Sequence, residues 1–263
     1  MASPHGISMD CPRILNNLRP RRMRVAPSRA CMPKDMQGTK IFIFKIPIIP
    51  ISVIRQRGFR AIGANEPAWL MPDGKKPIGA HMRMPDENER RKWQDPERIL
   101  GEAGLKEGDV FIDIGCGKGF FAVPAARIVG RNGKVYAIDA SGERLDELRK
   151  RAEDEGLRNI VITPGRAEEL VPCRDCGDIA FFGVSLHDFD DAARVLSNVH
   201  AMLKKGGKVV DLDWKKEHGE RGPPYEIRFD ERHATELLSS AGFKVIQKRE
   251  EGREHYIIYA EKV

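Results

Sequence analysis

The chain has 263 residues, 41% apolar and 32% charged, which supplies a buried core and excludes a wholly disordered protein. The formal charge of +6 is unevenly spread: residues 1–81 hold 14 Lys and Arg against 4 Asp and Glu, and residues 82–263 hold 31 against 35. The five cysteines, Cys11, Cys31, Cys116, Cys173 and Cys176, are too few and odd in number for a disulfide-stapled secreted domain, and indicate a reducing, cytoplasmic setting.

Residues 1–81 show no sustained helix or strand period and read as a basic, poorly structured extension. The simplest reading is a solvated tail; its charge also suits contact with nucleic acid or an anionic surface. It also reads as upstream sequence, with Met82 or Met84 as a start. The apolar run Ile41–Ile54 has 14 residues and contains Lys45, Pro47 and Pro50. A spanning helix needs about 20 residues without such breaks, so no membrane span and no signal peptide is expected.

From Asp86 the punctuation becomes regular. Asp86–Lys92 is charged and helical, and Asp95-Pro96-Glu97 starts a second helix, with Asp95 as cap and Pro at the first turn. Val110–Ile114 reads as a buried strand and Gly119–Val129 as a helix. Val135–Ile138 is a strand, Glu143–Glu155 an amphipathic helix ended by Gly156, Ile160–Thr163 a third strand and Ile179–Val184 a fourth. Asp191–Leu203 is a helix stopped at Gly206-Gly207, and Val209–Leu212 a fifth strand. Strands alternating with helices predict a parallel sheet covered on both faces. After the helix Glu231–Ser240, Lys244–Lys248 and Tyr256–Ala260 are too close in sequence to be parallel, so they form an antiparallel pair.

Val110-Phe-Ile-Asp113-Ile-Gly115-Cys116-Gly117-Lys118-Gly119 runs from strand into three alternating glycines and then a helix. Glycines let the backbone turn sharply and approach a ligand, and a helix N-terminus favours negative charge. The place and order suit a nucleotide-like ligand. A dinucleotide fingerprint is G-x-G-x-x-G. Here the third glycine comes one residue early and Phe120 follows, which argues against a nicotinamide enzyme.

With its acid two residues before the first glycine, this segment resembles the motif of class I S-adenosylmethionine-dependent methyltransferases. The resemblance covers residues 82–263 and looks closest to small-molecule enzymes of the quinone-biosynthesis-like group. It implies a Rossmann-like α/β fold: a seven-stranded, mostly parallel sheet, helices on both faces and an antiparallel C-terminal strand pair. It also implies S-adenosylmethionine as cofactor, held by Asp113, Gly115, Cys116, Gly117 and Gly119. Asp139, at the end of the second strand and followed by Ala140, is the expected ribose partner. After the third strand comes Gly165-Arg166-Ala167, where the family often carries an acid at the Arg166 position against the adenine. Here only the Ala167 amide fits that role directly. Leu203-Lys-Lys-Gly-Gly207 is the family's phrase before its fifth strand. Lys118 stands where Thr or Ser is commoner, and reads either as a partner for the cofactor carboxylate or as a solvated side chain.

Methyl transfer from a sulfonium needs orientation more than acid–base help. If a base acts, His187, just past the fourth strand, is the first candidate, with Asp188 and Asp213 next. The simpler reading of His187 is a capping or orienting group before the helix that starts at Asp190-Asp191. Trp93, Trp214 and Tyr225 either line a substrate face or pack. Cys173-Arg-Asp-Cys176 lacks the second pair a zinc site needs, so two surface-loop thiols and no metal are expected. Gly222-Pro-Pro-Tyr225 and Pro172-Cys173 look like motifs of nucleic-acid methyltransferases but lie after and before the wrong strands. The expected partner is a small-molecule acceptor. The alternatives are an RNA or protein methyltransferase using the basic arm, and a cofactor-binding module without turnover.

Overall fold

The computed structural model describes residues 86–219 and 221–263. The extension, including Ile41–Ile54, lies outside the described residues. In chain order the elements are α1 (Glu87–Arg91), α2 (Pro96–Glu102), β1 (Val110–Ile114), α3 (Ala122–Val129), β2 (Lys134–Asp139), α4 (Gly142–Asp154) and β3 (Ile160–Pro164). They continue with β4 (Gly177–Gly183), α5 (Ala192–Met202), β5 (Leu203–Trp214), α6 (Glu231–Ser240), β6 (Phe243–Glu251) and β7 (His255–Lys262).

Side-chain caps fix where the helices begin. Asp95 accepts from the Arg98 amide at 3.0 Å, Asp191 from Arg194 at 2.8 Å and Asp230 from His233 at 2.7 Å. Each such cap is worth about 1 kcal/mol. The seven strands form one sheet in the order β3-β2-β1-β4-β5-β7-β6. β1 pairs in parallel with both β2 and β4, and β7 runs antiparallel to β5 and β6. The expected sheet and its antiparallel ending are therefore present. The strand order reverses between β1 and β4, which opens a crevice at their carboxyl ends.

Alternate residues of the strands feed two apolar layers. Phe111, Phe181, Val210 and Leu212 pack with α2, α3 and α4, whereas Ile112, Ile114, Phe182 and Val209 pack with α5 and α6. Burying such residues supplies about 1.5–3 kcal/mol each before chain entropy is subtracted.

Three local expectations change. α3 begins at Ala122, because Gly119–Phe121 are spent on the turn; the Gly119 amide bonds the Cys116 carbonyl at 2.9 Å. β5 begins at Leu203, directly after α5. Its segment Lys204–Gly207 bulges out, so that Gly177 pairs with Leu203 and Ile179 next pairs with Lys208. Gly206, at φ +76°, takes the left-handed backbone this bulge requires. Cys173 and Cys176 are joined as a disulfide rather than standing as two thiols. The Asp175 and Cys176 amides donate to the Ala201 and Met202 carbonyls at 3.1 and 2.9 Å and tie this turn to the end of α5.

Candidate functional site

The crevice is built from the loop that follows β1. Gly115, Gly117 and Gly119 have φ of +76°, +54° and +85°, backbone that side chains rarely adopt. They serve different ends. A Cβ on Gly115 would sit 2.8 Å from the Ser185 Cβ, and one on Gly119 would sit 2.4 Å from Leu148 Cδ1. These two let the chain pass beside β4 and α4. A Cβ on Gly117 would meet nothing within 4 Å, so this glycine faces open space.

The loop amides are mostly spent inside the chain. Gly115 and Cys116 both donate to the Ile138 carbonyl, at 2.8 and 3.0 Å. Gly117 donates to Asp139 Oδ2 at 2.8 Å, and Ser141 donates to Asp139 Oδ1 at 2.8 Å. Asp139 thus clamps the glycine loop to the end of β2. Each of its oxygens retains a second lone pair. Ala140 stands between these bonds. Cys116 packs as a buried thiol, pushed up by burial and by Asp113 and Asp139, so it is no nucleophile.

Asp113 is fully buried at the end of β1. It accepts from the Ala122 amide, and its Oδ2 has no hydrogen-bond partner. Burial, opposed by Arg90 and reinforced by Asp139, lifts its carboxyl to about 7. Arg90 of α1 is buried as well. Its Nε donates to Gln94 Oε1 at 2.7 Å, its Nη2 reaches the Gly183 carbonyl at 3.3 Å, and the guanidinium lies 4.0 Å over the Phe120 ring. Sequence reasoning missed Arg90, because one arginine in a charged helical run carries no local mark of burial.

Arg166 pairs with Glu168 and Asp190 at 3.0 and 2.7 Å, so its charge is neutralised within the chain. Ala167 is buried, and its carbonyl accepts from Asn198 at 2.9 Å. Lys118 pairs with Glu147 at 2.8 Å on the surface, which favours the solvated reading.

The three acid–base candidates, though 26 residues apart at their extremes, come together. His187 Nδ1 lies 2.7 and 2.8 Å from the two Asp213 oxygens, and its Nε2 lies 3.3 Å from Asp188 Oδ1. A carboxylate only accepts, so Nδ1 carries a hydrogen toward Asp213, and Nε2 is the ring nitrogen that faces Asp188. Asp213 also accepts from the Trp214 amide at 2.7 Å. Asp211, on the same face of β5, is fully buried and held well above the usual carboxylate range by burial and then by Asp213. Just before His187, Val184 has φ +67°, a strained setting for a β-branched residue; its amide bonds the Leu212 carbonyl at 2.7 Å.

Trp93 and Trp214 pack around buried His255, with ring centroids 4.9 and 4.1 Å from it. Tyr225 is instead half-exposed and stacks on His218 at 4.2 Å. After β5, Arg228 donates to the carbonyls of Lys215, Glu217, Arg221 and Pro223. A cleft of about 310 Å³ opens beside it, lined by Lys216, Phe229, Asp230 and His233 among others. Among the described residues no group of three His, Cys, Asp or Glu could hold a metal ion, and no helix is long and apolar enough to cross a membrane.

Comparisons with known proteins agree with this geometry. A family model described as a methyltransferase domain matches residues 105–247. The demethylmenaquinone methyltransferase of Alkalihalophilus pseudofirmus is 30% identical over 109 residues, 41% of this chain and 46% of that protein. The chain spans about half the length of the curated relatives it matches. A solved S-adenosylmethionine-dependent methyltransferase from Aquifex aeolicus superposes with a TM-score of 0.64 at 30% identity, covering 66% of this chain and 93% of that one. The [4+2]-cyclase SpnF shares the fold at 17% identity and a TM-score of 0.56, over 63% of this chain and 81% of its own. Carried by the glycine loop, the sheet order and the family match over more than half its length, the chain belongs to the class I S-adenosylmethionine-dependent methyltransferase domain family.

Proposed function

We propose that the protein transfers a methyl group from S-adenosylmethionine to a small-molecule acceptor. Because a cyclase shares the fold, the reading rests on the site and not on the architecture. The observation that carries it is the crevice beside Gly117. Asp139, with spare lone pairs, accepts from the Gly117 amide there, and Asp113, two residues before Gly115, keeps a buried oxygen that lacks a partner.

S-adenosylmethionine brings the methyl on a sulfonium that already leaves readily. Asp113, Gly115, Cys116, Gly117 and Gly119 would form the wall against it, Asp139 and Ala140 the ribose edge, and Arg166 and Ala167 the adenine edge. The rest of the work is orientation, worth about 7–11 kcal/mol in favourable cases. His187 would take a proton from the acceptor at Nε2, held in its tautomer by Asp213, with Asp188 beside the charged ring. The mixed charges of the cleft after β5 suit a polar acceptor.

Calorimetry with S-adenosylmethionine and with NAD tests the cofactor assignment; binding of NAD alone would overturn it. A methyl-transfer screen against metabolite extracts then identifies the acceptor. The charge of residues 1–81 supports a second reading, methylation of RNA. That reading requires RNA binding that falls steeply with salt and is lost on deleting 1–81. We take residues 82–263 as the catalytic domain, so this truncation should still bind cofactor.

A further inference from the structure

The Cys173–Cys176 link lies in the turn that leads into β4, at the amino end of that strand, whereas the glycine loop and His187 stand at the carboxyl ends. It therefore belongs neither to the cofactor crevice nor to the acid–base group. The two Cα atoms are 6.1 Å apart and three positions apart in the chain. Closing so short a loop withdraws little freedom from the unfolded chain, so the link does little as a staple. The second half of the turn has other ties. The Asp175 and Cys176 amides bond the end of α5, and Lys262 Nζ donates to Asp175 Oδ1 at 2.9 Å and to the Leu203 carbonyl at 2.7 Å. Cys173, on the first half, packs only partly buried against the layer beneath α5 and α6. Both cysteines are half-buried, and Arg174 and Asp175 between them are exposed; Cys116, by contrast, is 6% exposed. Arg174 also places a positive charge next to both sulfurs in the chain, which favours the thiolate that exchange requires.

We propose that Cys173 and Cys176 form a thiol–disulfide exchange site, opened and closed by small thiols of the glutathione type while the chain stays folded. In opening, one thiolate attacks a sulfur of the link, forms a mixed disulfide and expels the other cysteine as a thiolate. A second small thiolate then attacks the mixed disulfide and leaves as the oxidised dimer. Two electrons pass from the two small thiols to the pair, and the two protons they lose end on Cys173 and Cys176. Closing runs the same steps in reverse, with the oxidised dimer as the acceptor of electrons. A short loop whose sulfurs thiols can reach is the kind of disulfide that opens and re-forms. Opening leaves the ties of Asp175, Cys176 and Lys262 in place and frees Cys173 on the arm that precedes them.

The test equilibrates the full wild-type chain with reduced and oxidised glutathione in varied ratio, quenches by alkylation and reads each cysteine peptide by mass spectrometry. Cys173 and Cys176 should pass together from linked to alkylated and back, with Cys116 unmodified and the circular dichroism of the folded chain unchanged. A link that survives excess reduced glutathione until urea unfolds the chain would overturn the proposal. So would two cysteines that stay thiols, or that each keep their own glutathione, in excess oxidised glutathione. A Cys173→Ser, Cys176→Ser double variant holds the open arrangement. Trypsin should cut after Arg174 at least about tenfold faster in this variant than in the oxidised wild type, because the arm is freed. Equal rates would overturn the claim that opening releases it. If the variant does not fold, the glutathione titration on the wild type decides alone. None of these readouts uses the cofactor, so their outcome is independent of the methyl-transfer reading.

Discussion

Replacing Asp113 by Asn isolates the cost of burying its charge. Burial, offset by Arg90 and reinforced by Asp139, raises this carboxyl from 3.8 to about 7. The folded protein then holds a proton that the unfolded chain has released, so stability falls as pH rises through this window. At about 1.4 kcal/mol per pH unit, the cost grows from about 1 kcal/mol at about pH 4.5 to about 4 kcal/mol at about pH 7.5. His255 has the opposite slope. Burial, then the charge of Arg90, lowers its imidazole to about 3. The unfolded chain binds a proton that the folded one refuses, and stability is lost as pH drops below about 6.5. In the wild type the two slopes largely offset one another, and Asp113→Asn removes only the first. Urea melts of both proteins should show the variant gaining about 3 kcal/mol on the wild type between about pH 4.5 and about pH 7.5. A difference independent of pH would refute the argument that burial sets the protonation of Asp113.

The other predictions address separate parts of the site. Asp213→Asn keeps the shape but loses the charge that holds His187 at 2.7 Å; turnover should fall by about a hundredfold with cofactor affinity unchanged in calorimetry. Asp139→Ala strips the Gly117 and Ser141 amides of their acceptor; thermal melts should show a loss of about 3 kcal/mol or more, and unchanged cofactor affinity would contradict the ribose assignment. Gly117→Ala meets no neighbour within 4 Å and should fold with a loss of about 1 kcal/mol while binding cofactor poorly. Gly119→Ala, 2.4 Å from Leu148 Cδ1, should show the reverse emphasis, its main effect being on the melting temperature.

The parallel strands were legible because each is a short apolar run between turn residues, and the glycine loop because its spacing is set by local backbone geometry. His187, Asp188 and Asp213 could be singled out one at a time, since each follows a strand. Their contact could not, because it depends on β4 and β5 being neighbours. Arg90 was invisible for a similar reason: its surroundings come from the ends of α1, β1, β4 and α3, which meet only in the fold. The Gly206-Gly207 pair was read as a helix stop, whereas the bulge it forms depends on the register of the facing strand. The Cys173–Cys176 link was passed over because two cysteines at that spacing fit several chemistries alike.

Arg228 gathers four backbone carbonyls of the segment after β5 around one buried guanidinium, stacked 5.4 Å from Trp214. Such a rivet sets the shape of the segment before any acceptor arrives, so little conformational freedom is left to surrender on docking. Selectivity at this edge would then come from a preset outline rather than from a loop that moulds itself to its guest. Evolution could retune it by changing the side chains the segment displays while leaving the rivet in place.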